Sequence, residues 1–525
     1  MYTEAIDQLE RRRSLLSRDE LKTALAANFG VQYLYFQAVR AGLKLVREQA
    51  PDEQRRNAER RTFALSEKAR ARALLDLLAA NVRQASTNGQ ESEAFTRWRQ
   101  LTSSSELWRG MLARARSSGQ SGDLVEALQA RIEDSEQQLY ELEETIHGDA
   151  ARSLSASAAV ISLEEAVRQI PPDTALLQYM TLGDELLLWA VTSSGMAHPH
   201  ICDLRASVLG RLVREFQSNC ASGASMDLLD AQSTKLAGSL LDPLGPVIDA
   251  HEKLIITPYG ELNSLPFAAL KWKGQWLGHQ RTLTYLPSAS MLQALARPSS
   301  TAPQSILAVG NPRKMTHQPP FGEVETLPPL EFAEAEATSV AGLYGGTALT
   351  DAHASIDEVR PGLKAYRRLH FATHGLLYDE APLLSGMALA DGYVLTVQEL
   401  MGIRIDADIV VVSACRSGLG ARTGGEEIVG LSRGLLAAGA RAVIVSLWSV
   451  PDRSTAILMV RFHQHVRDGM DVAKALQAAE IWLSELDSDD LAAEEDKLRD
   501  MGSRPVQPTG STHPRQWAPF VVIGR

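Results

Sequence analysis

An α/β protein preceded by an all-α region is what this sequence predicts, and three observations carry that reading. Residues 1–150 are rich in Ala, Leu, Arg, Glu and Gln, nearly free of proline, and carry apolar stripes at helical spacing. Beyond them, short apolar runs bounded by turn residues alternate with helical segments, the pattern of a mostly parallel sheet. Two of those runs end in a histidine and a cysteine, at the strand ends where open α/β sheets place their ligand sites. The expected division is a helical region over 1–150, a linker over 151–160, and an α/β unit over 161–525.

In the helical region Tyr33–Phe36 lies in an early helix, and Pro51 marks a break before a longer one. Phe63, Leu65, Ala69, Ala73, Leu74, Leu77 and Leu78 share one stripe of that longer helix. Leu107, Trp108, Met111 and Leu112 mark a later helix, and residues 124–146 a last one with opposed charges on its outer face. A bundle with solvated charge faces and a hairpin array offering a surface to a partner both fit, since no clean 34-residue repeat is present. The stretch 151–158, ARSLSASA, is the linker.

After it, Ser162 and Glu165 form a capping box ahead of a short helix. Strands follow at 175–180, 185–191, 197–202, 254–257, 282–286 and 305–309, with helices at 205–219 and 234–241 among them. A proline-rich loop over 311–329 precedes helices at 331–343 and 355–366. Leu369–Ala372 is then a strand running into Thr373-His374-Gly375, and Ile409–Val412 a strand breaking off at Ser413-Ala414-Cys415. A loop over 376–392 and a small helix at 397–400 separate the two, and a glycine-rich loop over 418–425 follows the cysteine. Helices at 427–438, 453–467 and 472–486, a strand at 442–447 and an acidic stretch at 487–500 come next. A final strand at 520–523 is expected to close the sheet.

Bulk properties narrow the function. With 53 Lys and Arg against 64 Asp and Glu, the net charge of −11 argues against non-specific nucleic-acid binding. No apolar run is long enough to span a bilayer, and the first residues, MYTEAIDQLERRR, lack the apolar core of a secretory signal. Three scattered cysteines, Cys202, Cys220 and Cys415, make neither a disulfide framework nor a metal-ligand set. The expectation is a cytoplasmic protein with no cofactor and a free thiol.

Cys415 and His374, forty-one residues apart, are the residues with chemistry to offer. A free thiol is only a few per cent thiolate at pH 7, so an adjacent imidazole is needed to take its proton and return it to a leaving amine. Cys415 is therefore the candidate nucleophile and His374 the candidate acid/base. The backbone amides of Gly375 and Cys415 are the candidate oxyanion donors. His370 is a rival base, on the same strand face but inside the strand. Cys202, Cys220, His353, His463 and His465 are read as structural.

The pair HFATHG (370–375) and VVSACRSG (411–418) resembles the CHAT domain, a caspase-like peptidase module related to caspases and separase. PPDTALLQY (171–179), TPYGELNSLPFAAL (257–270), YLPSASML (285–292), GLSRGLLAAGARAVIVSLWSVPD (430–452) and WAPFVVIG (517–524) extend the resemblance over roughly 160–525. SEKARARALLDLL (66–78) resembles the tetratricopeptide-like helices that often precede such a domain. The resemblance implies a caspase-like α/β/α sandwich in which an inert half (161–300) precedes an active one (301–525). It implies a cysteine endopeptidase with a Cys/His dyad, which falls on Cys415 and His374. No third catalytic acid is evident.

Separase-like relatives take a basic P1 residue against an acid in the S1 pocket, and Asp452 resembles that position, although its neighbour Ser449 departs from the pattern. The alternative for Asp452 is the N-cap of a helix beginning near Arg453. Asp379, Glu380, Glu426 and Glu427 are further acids for a cleft. The implied partners are a protein substrate and an activator docked on the N-terminal helices. Many such proteases resemble effectors of bacterial defence that cleave a companion such as a gasdermin-like pore former. The loops 311–329, 376–392 and 418–425 are expected to order on activation. Two rivals stand beside this reading, a catalytically silent scaffold and a thiol hydrolase or acyltransferase acting on a non-peptide substrate.

Overall fold

The computed structural model describes residues 29–47, 52–84, 101, 108, 125–132, 134–135, 137–138, 160–296, 305–317, 324–377, 384–401, 403, 405–413, 415–416, 426–499 and 512–525. The linker, most of the later N-terminal helices and the whole loop 418–425 lie outside these residues.

Two helices come first among the described residues, α1 (Phe29–Arg47) and α2 (Asp52–Gln84). They form a hairpin whose axes approach closely at Gly42, where an added Cβ would meet the Thr62 hydroxyl at 1.9 Å. Helix α3 (Leu163–Gln169) begins at the expected cap, the Ser162 hydroxyl accepting the Glu165 amide at 3.1 Å. Strands β1 (Thr174–Leu182), β2 (Glu185–Thr192) and β3 (Gly195–Asp203) form a meander, followed by α4 (Ala206–Ser222), α5 (Met226–Leu240), β4 (Lys253–Thr257) and β5 (Thr282–Tyr285). The short helix α6 (Met291–Ala294) ends this part.

The second part runs β6 (Ile306–Pro312), α7 (Ala333–Tyr344), β7 (Thr347–Asp351), α8 (Ile356–Ala365) and β8 (Arg368–Ala372). Then come β9 (His374–Leu376), β10 (Gly386–Ala388), β11 (Val394–Thr396), β12 (Ile409–Val412) and β13 (Cys415–Arg416). Helix α9 (Glu426–Ala438), β14 (Ala442–Ser446), helices α10 (Asp452–Arg467), α11 (Val472–Glu485) and α12 (Ser488–Arg499), and β15 (Phe520–Gly524) complete it.

Eleven strands make one mixed sheet in the order β7-β6-β8-β12-β14-β15-β5-β4-β1-β2-β3. Every residue of β8, β12, β14 and β15 is buried, so helices must cover both faces of the sheet's centre. On one side α7, α10, α11 and α12 pack together, and elsewhere α9 packs between β14 and α2. This is the α/β fold with a helical N-terminal region that the residue pattern predicts, in the sandwich form that the resemblance implies.

Two expectations are corrected and one is filled in. The final strand does not close the sheet's edge; β15 sits in its middle, antiparallel to β14 and parallel to β5, and joins the two halves. The acidic stretch is helix α12, and its Glu495 is drawn into the core by an ion pair with Arg453. The loop 376–392 contains β10, which pairs with the His374 strand.

Candidate active site

Both candidate residues lie just beyond the main sheet rather than at the ends of its strands. β8 stops at Ala372, and His374 opens β9, which belongs to a second sheet of order β11-β10-β9-β13. Thr373 makes the corner. Its buried hydroxyl donates to the Ala388 carbonyl at 2.7 Å, tying the corner to β10. β12 likewise stops at Val412, with the Ser413 amide still bonded to the Phe371 carbonyl at 3.0 Å. Two residues on, β13 pairs in parallel with β9, His374 in register with Cys415 and Gly375 with Arg416. Neighbouring strands run about 4.8 Å apart, so these register partners are adjacent along the whole pair. Gly375 also pairs with Met387 on its other side.

The His374 ring is 4% exposed, and its Nε2 lies 2.7 Å from the Pro328 carbonyl oxygen. A carbonyl only accepts, so Nε2 carries the proton and the neutral ring keeps its lone pair on Nδ1. Nδ1 is buried and has no hydrogen-bond partner among the described residues. Burial pushes the imidazole pKa below its ordinary 6.5, against a smaller upward pull from the Pro328 carbonyl. The ring is thus neutral at pH 7, a base with one nitrogen fixed and the other open.

Pro328 belongs to a strap, Leu327–Phe332, that runs from the end of the expected loop 311–329 to the N-cap of α7, which begins at Ala333 rather than at 331. The Leu327 amide donates to the Met315 carbonyl at 2.9 Å, and the Leu330 amide to Asn311 Oδ1 at 2.9 Å. The Phe332 amide donates to Asp452 Oδ2 at 2.7 Å. Asn311 is the extra residue of a bulge at the end of β6, with a left-handed φ of 44° that asparagine tolerates. Gly310 beside it lets α7 approach, since a Cβ there would meet the Ala333 carbonyl at 2.4 Å.

Asp452 therefore does not cap its own helix. α10 begins at Asp452 with Pro451 as N-cap and no side-chain cap bond. The carboxylate instead serves the start of α7. Burial, with Glu336 and Glu331 nearby, raises its pKa to about 6, while the Phe332 amide pulls the other way. The structure joins Asp452 to His374 through the strap.

His370, the rival base, is excluded by its surroundings. It is wholly buried, with Nε2 on Glu336 Oε1 at 2.8 Å and Nδ1 3.2 Å from His463 Nε2. His463 in turn meets the Tyr344 hydroxyl at 3.2 Å, and burial holds its pKa well below 6.5. This chain ties β8 to α7 and α10. Cys220 is buried, its thiol pushed up to about 12, as befits a structural residue. The side chains of Cys415, Asp379, Glu380, Glu426 and Glu427 lie outside the described residues. Among the described residues no group of three or more His, Cys, Asp or Glu could hold a metal ion.

The CHAT domain family matches residues 230–525. The chain belongs to that family. Beyond the CHAT match, tetratricopeptide repeat protein 28 of Mus musculus and of Homo sapiens are each 25% identical over 358 residues, or 59% of this chain. The chain spans only 13% of the length of these curated relatives. The Saccharomyces cerevisiae separase–securin complex is similar in fold, with a TM-score of 0.50 and 9% identity over 97% of this chain and 37% of the other. The CHAT region is thus a caspase-like α/β unit with a helical region before it. No helix among the described residues is long and apolar enough to cross a membrane.

The residue pattern alone missed the Pro328 carbonyl, Thr373 and Asn311. A main-chain acceptor leaves no side-chain signature; the only hint was the stiff Leu-Pro-Pro-Leu run in a long loop.

Proposed function

We propose that this protein is a cysteine endopeptidase in which Cys415 is the nucleophile and His374 the acid/base. The observation that carries the reading is the β9–β13 register, which makes His374 and Cys415 strand partners while Pro328 leaves Nδ1 as the open nitrogen. In the proposed cycle the Cys415 thiol gives its proton to Nδ1 and the sulfur attacks the scissile carbonyl carbon. The amides of Gly375 and Cys415 hold the resulting oxyanion. Collapse breaks the C–N bond, and the proton on Nδ1 passes to the leaving amine. Water, deprotonated by Nδ1, then hydrolyses the thioester and restores the thiol.

For P1 we retain Asp452 as one wall of an S1 pocket for Arg or Lys, on the sequence resemblance of its position. The wider proposal is a gated protease with an activator on the N-terminal helices, serving as a defence effector against a gasdermin-like or other companion protein. Coexpression with such a companion tests that role; a companion left intact by the activated enzyme removes it.

A positional-scanning library of fluorogenic peptides tests the activity directly. Wild type is expected to cleave a subset of the library, and Cys415→Ala to lose about a thousandfold or more. Turnover surviving in Cys415→Ala, or none by wild type at any peptide with the natural partner also present, overturns the peptidase reading.

A further inference from the structure

The strap has a role that neither the dyad nor the S1 assignment includes. Three side-chain or main-chain acceptors hold amides along one six-residue segment: Met315 O for Leu327, Asn311 Oδ1 for Leu330 and Asp452 Oδ2 for Phe332. Between the first two anchors the only outward polar bond described is the Pro328 carbonyl on His374 Nε2, at 2.7 Å. Two consecutive prolines remove amide donors and fix φ, so the segment is stiff and its orientation is set by its anchors. The anchors come from different elements, Asn311 from the β6 bulge and Asp452 from the first residue of α10.

We propose that Asp452 and Asn311 are positioning residues, which hold the Pro328 carbonyl on His374 Nε2 and thereby keep the Nδ1 lone pair available to Cys415. The inference rests on the dyad reading above. It assigns Asp452 a function as a hydrogen-bond acceptor that is independent of any charge it presents to substrate. The alternative tautomer, with the proton on Nδ1, would leave the thiol facing a donor rather than a base. Loosening either anchor lets the carbonyl withdraw and removes the preference between the two tautomers. Burial, with Glu336 and Glu331 nearby, raises the Asp452 pKa to about 6, and the Phe332 amide is the bond that pulls it back towards the carboxylate.

The test needs no substrate. The rate of Cys415 alkylation by iodoacetamide, followed by mass spectrometry of the Cys415 peptide, reports how well the imidazole activates the thiol. The ¹⁵N chemical shifts of labelled His374 report its tautomer. Asn311→Gly keeps the left-handed φ and removes only the acceptor, so a folded protein is expected; unchanged melting temperatures verify this for every variant. Asn311→Gly and Asp452→Ala are each expected to slow alkylation at pH 7 about tenfold and to lower the Nε2–H tautomer fraction. Asp452→Asn, whose amide oxygen still accepts from Phe332, is expected to stay within about twofold of wild type.

His374→Ala separates the two layers of the argument. If it leaves Cys415 reactivity unchanged, the dyad reading fails and the strap proposal with it. If it slows alkylation while Asn311→Gly and Asp452→Ala do not, the strap proposal alone is overturned. Equal losses in Asp452→Asn and Asp452→Ala overturn it as well, since charge rather than hydrogen-bond acceptance would then be responsible.

Discussion

At the scale of single residues, His374 is governed by burial. Its pKa is below 6.5, chiefly because the ring is removed from water. The proposed base is active only when neutral, so the acidic limb of kcat/KM is expected below pH 6.5 rather than at it. A limb at or above 6.5 in a pH–rate profile refutes that assignment. The same shift has a stability consequence of fixed sign. The unfolded chain takes up the proton at about 6.5 while the folded chain resists, so the fold loses stability as pH drops from 6.5 towards the lower folded value. Cys415, His374 and Gly375 were legible as candidates because each follows an apolar strand with a residue type that a core does not need. Pro328, acting through a carbonyl that every residue has, was not.

At the scale of elements, helix α2 connects the N-terminal region to the sheet through two residues one turn apart. Glu67, fully buried, accepts from Gln178 Nε2 at 2.9 Å, from the Ala289 amide at 3.2 Å, and from both the amide and the hydroxyl of Ser290 at 2.7 Å. Arg70 donates to the carbonyls of Thr257 and Pro258 at 3.2 and 3.1 Å and lies over the Tyr259 ring. Its pKa is lowered to about 10 by burial, opposed by Glu67. The sequence reading placed both in an apolar-striped helix without a partner, because the four donors to Glu67 lie more than a hundred residues away. Glu67→Ala would strand those donors, and a loss of about 3 kcal/mol is expected in denaturant unfolding. Glu67→Gln should lose less than half as much. Equal stability of Glu67→Ala and wild type would show that α2 is not fastened at this point.

At the scale of the whole molecule, the alternation of strands and helices gave the fold class, yet the place of β15 could not be read. A short, wholly apolar strand fits an edge or a centre equally in one dimension; only the pairing with β14 and β5 decides. Where β15 and β5 meet α11, a small cavity is lined by Gly278, Tyr285, Gln477, Glu480 and Val522. Glu480 Oε1 has no partner among the described residues, and burial raises its pKa well above 4.5. A raised carboxyl pKa means that the folded chain binds more protons, so stability falls as pH rises from 4.5 towards the folded value. Glu480→Gln is expected to flatten that fall, by up to about 1.4 kcal/mol per pH unit, in unfolding measured between pH 5 and 8. Parallel pH dependences for the two proteins would show that Glu480 does not ionise on unfolding.

The central position of β15 also sets an order of assembly. The strands bearing His374 and Cys415 precede it in the chain, and so does every strand of the other half. At synthesis rates of about 10 residues per second, both halves leave the ribosome seconds before the strand that unites them. During that interval β14 and β5 present unpaired backbone edges to each other and to solvent. A nascent chain of this protein therefore passes through a window in which the sheet is still in two pieces, and the pieces become one when β15 pairs with both.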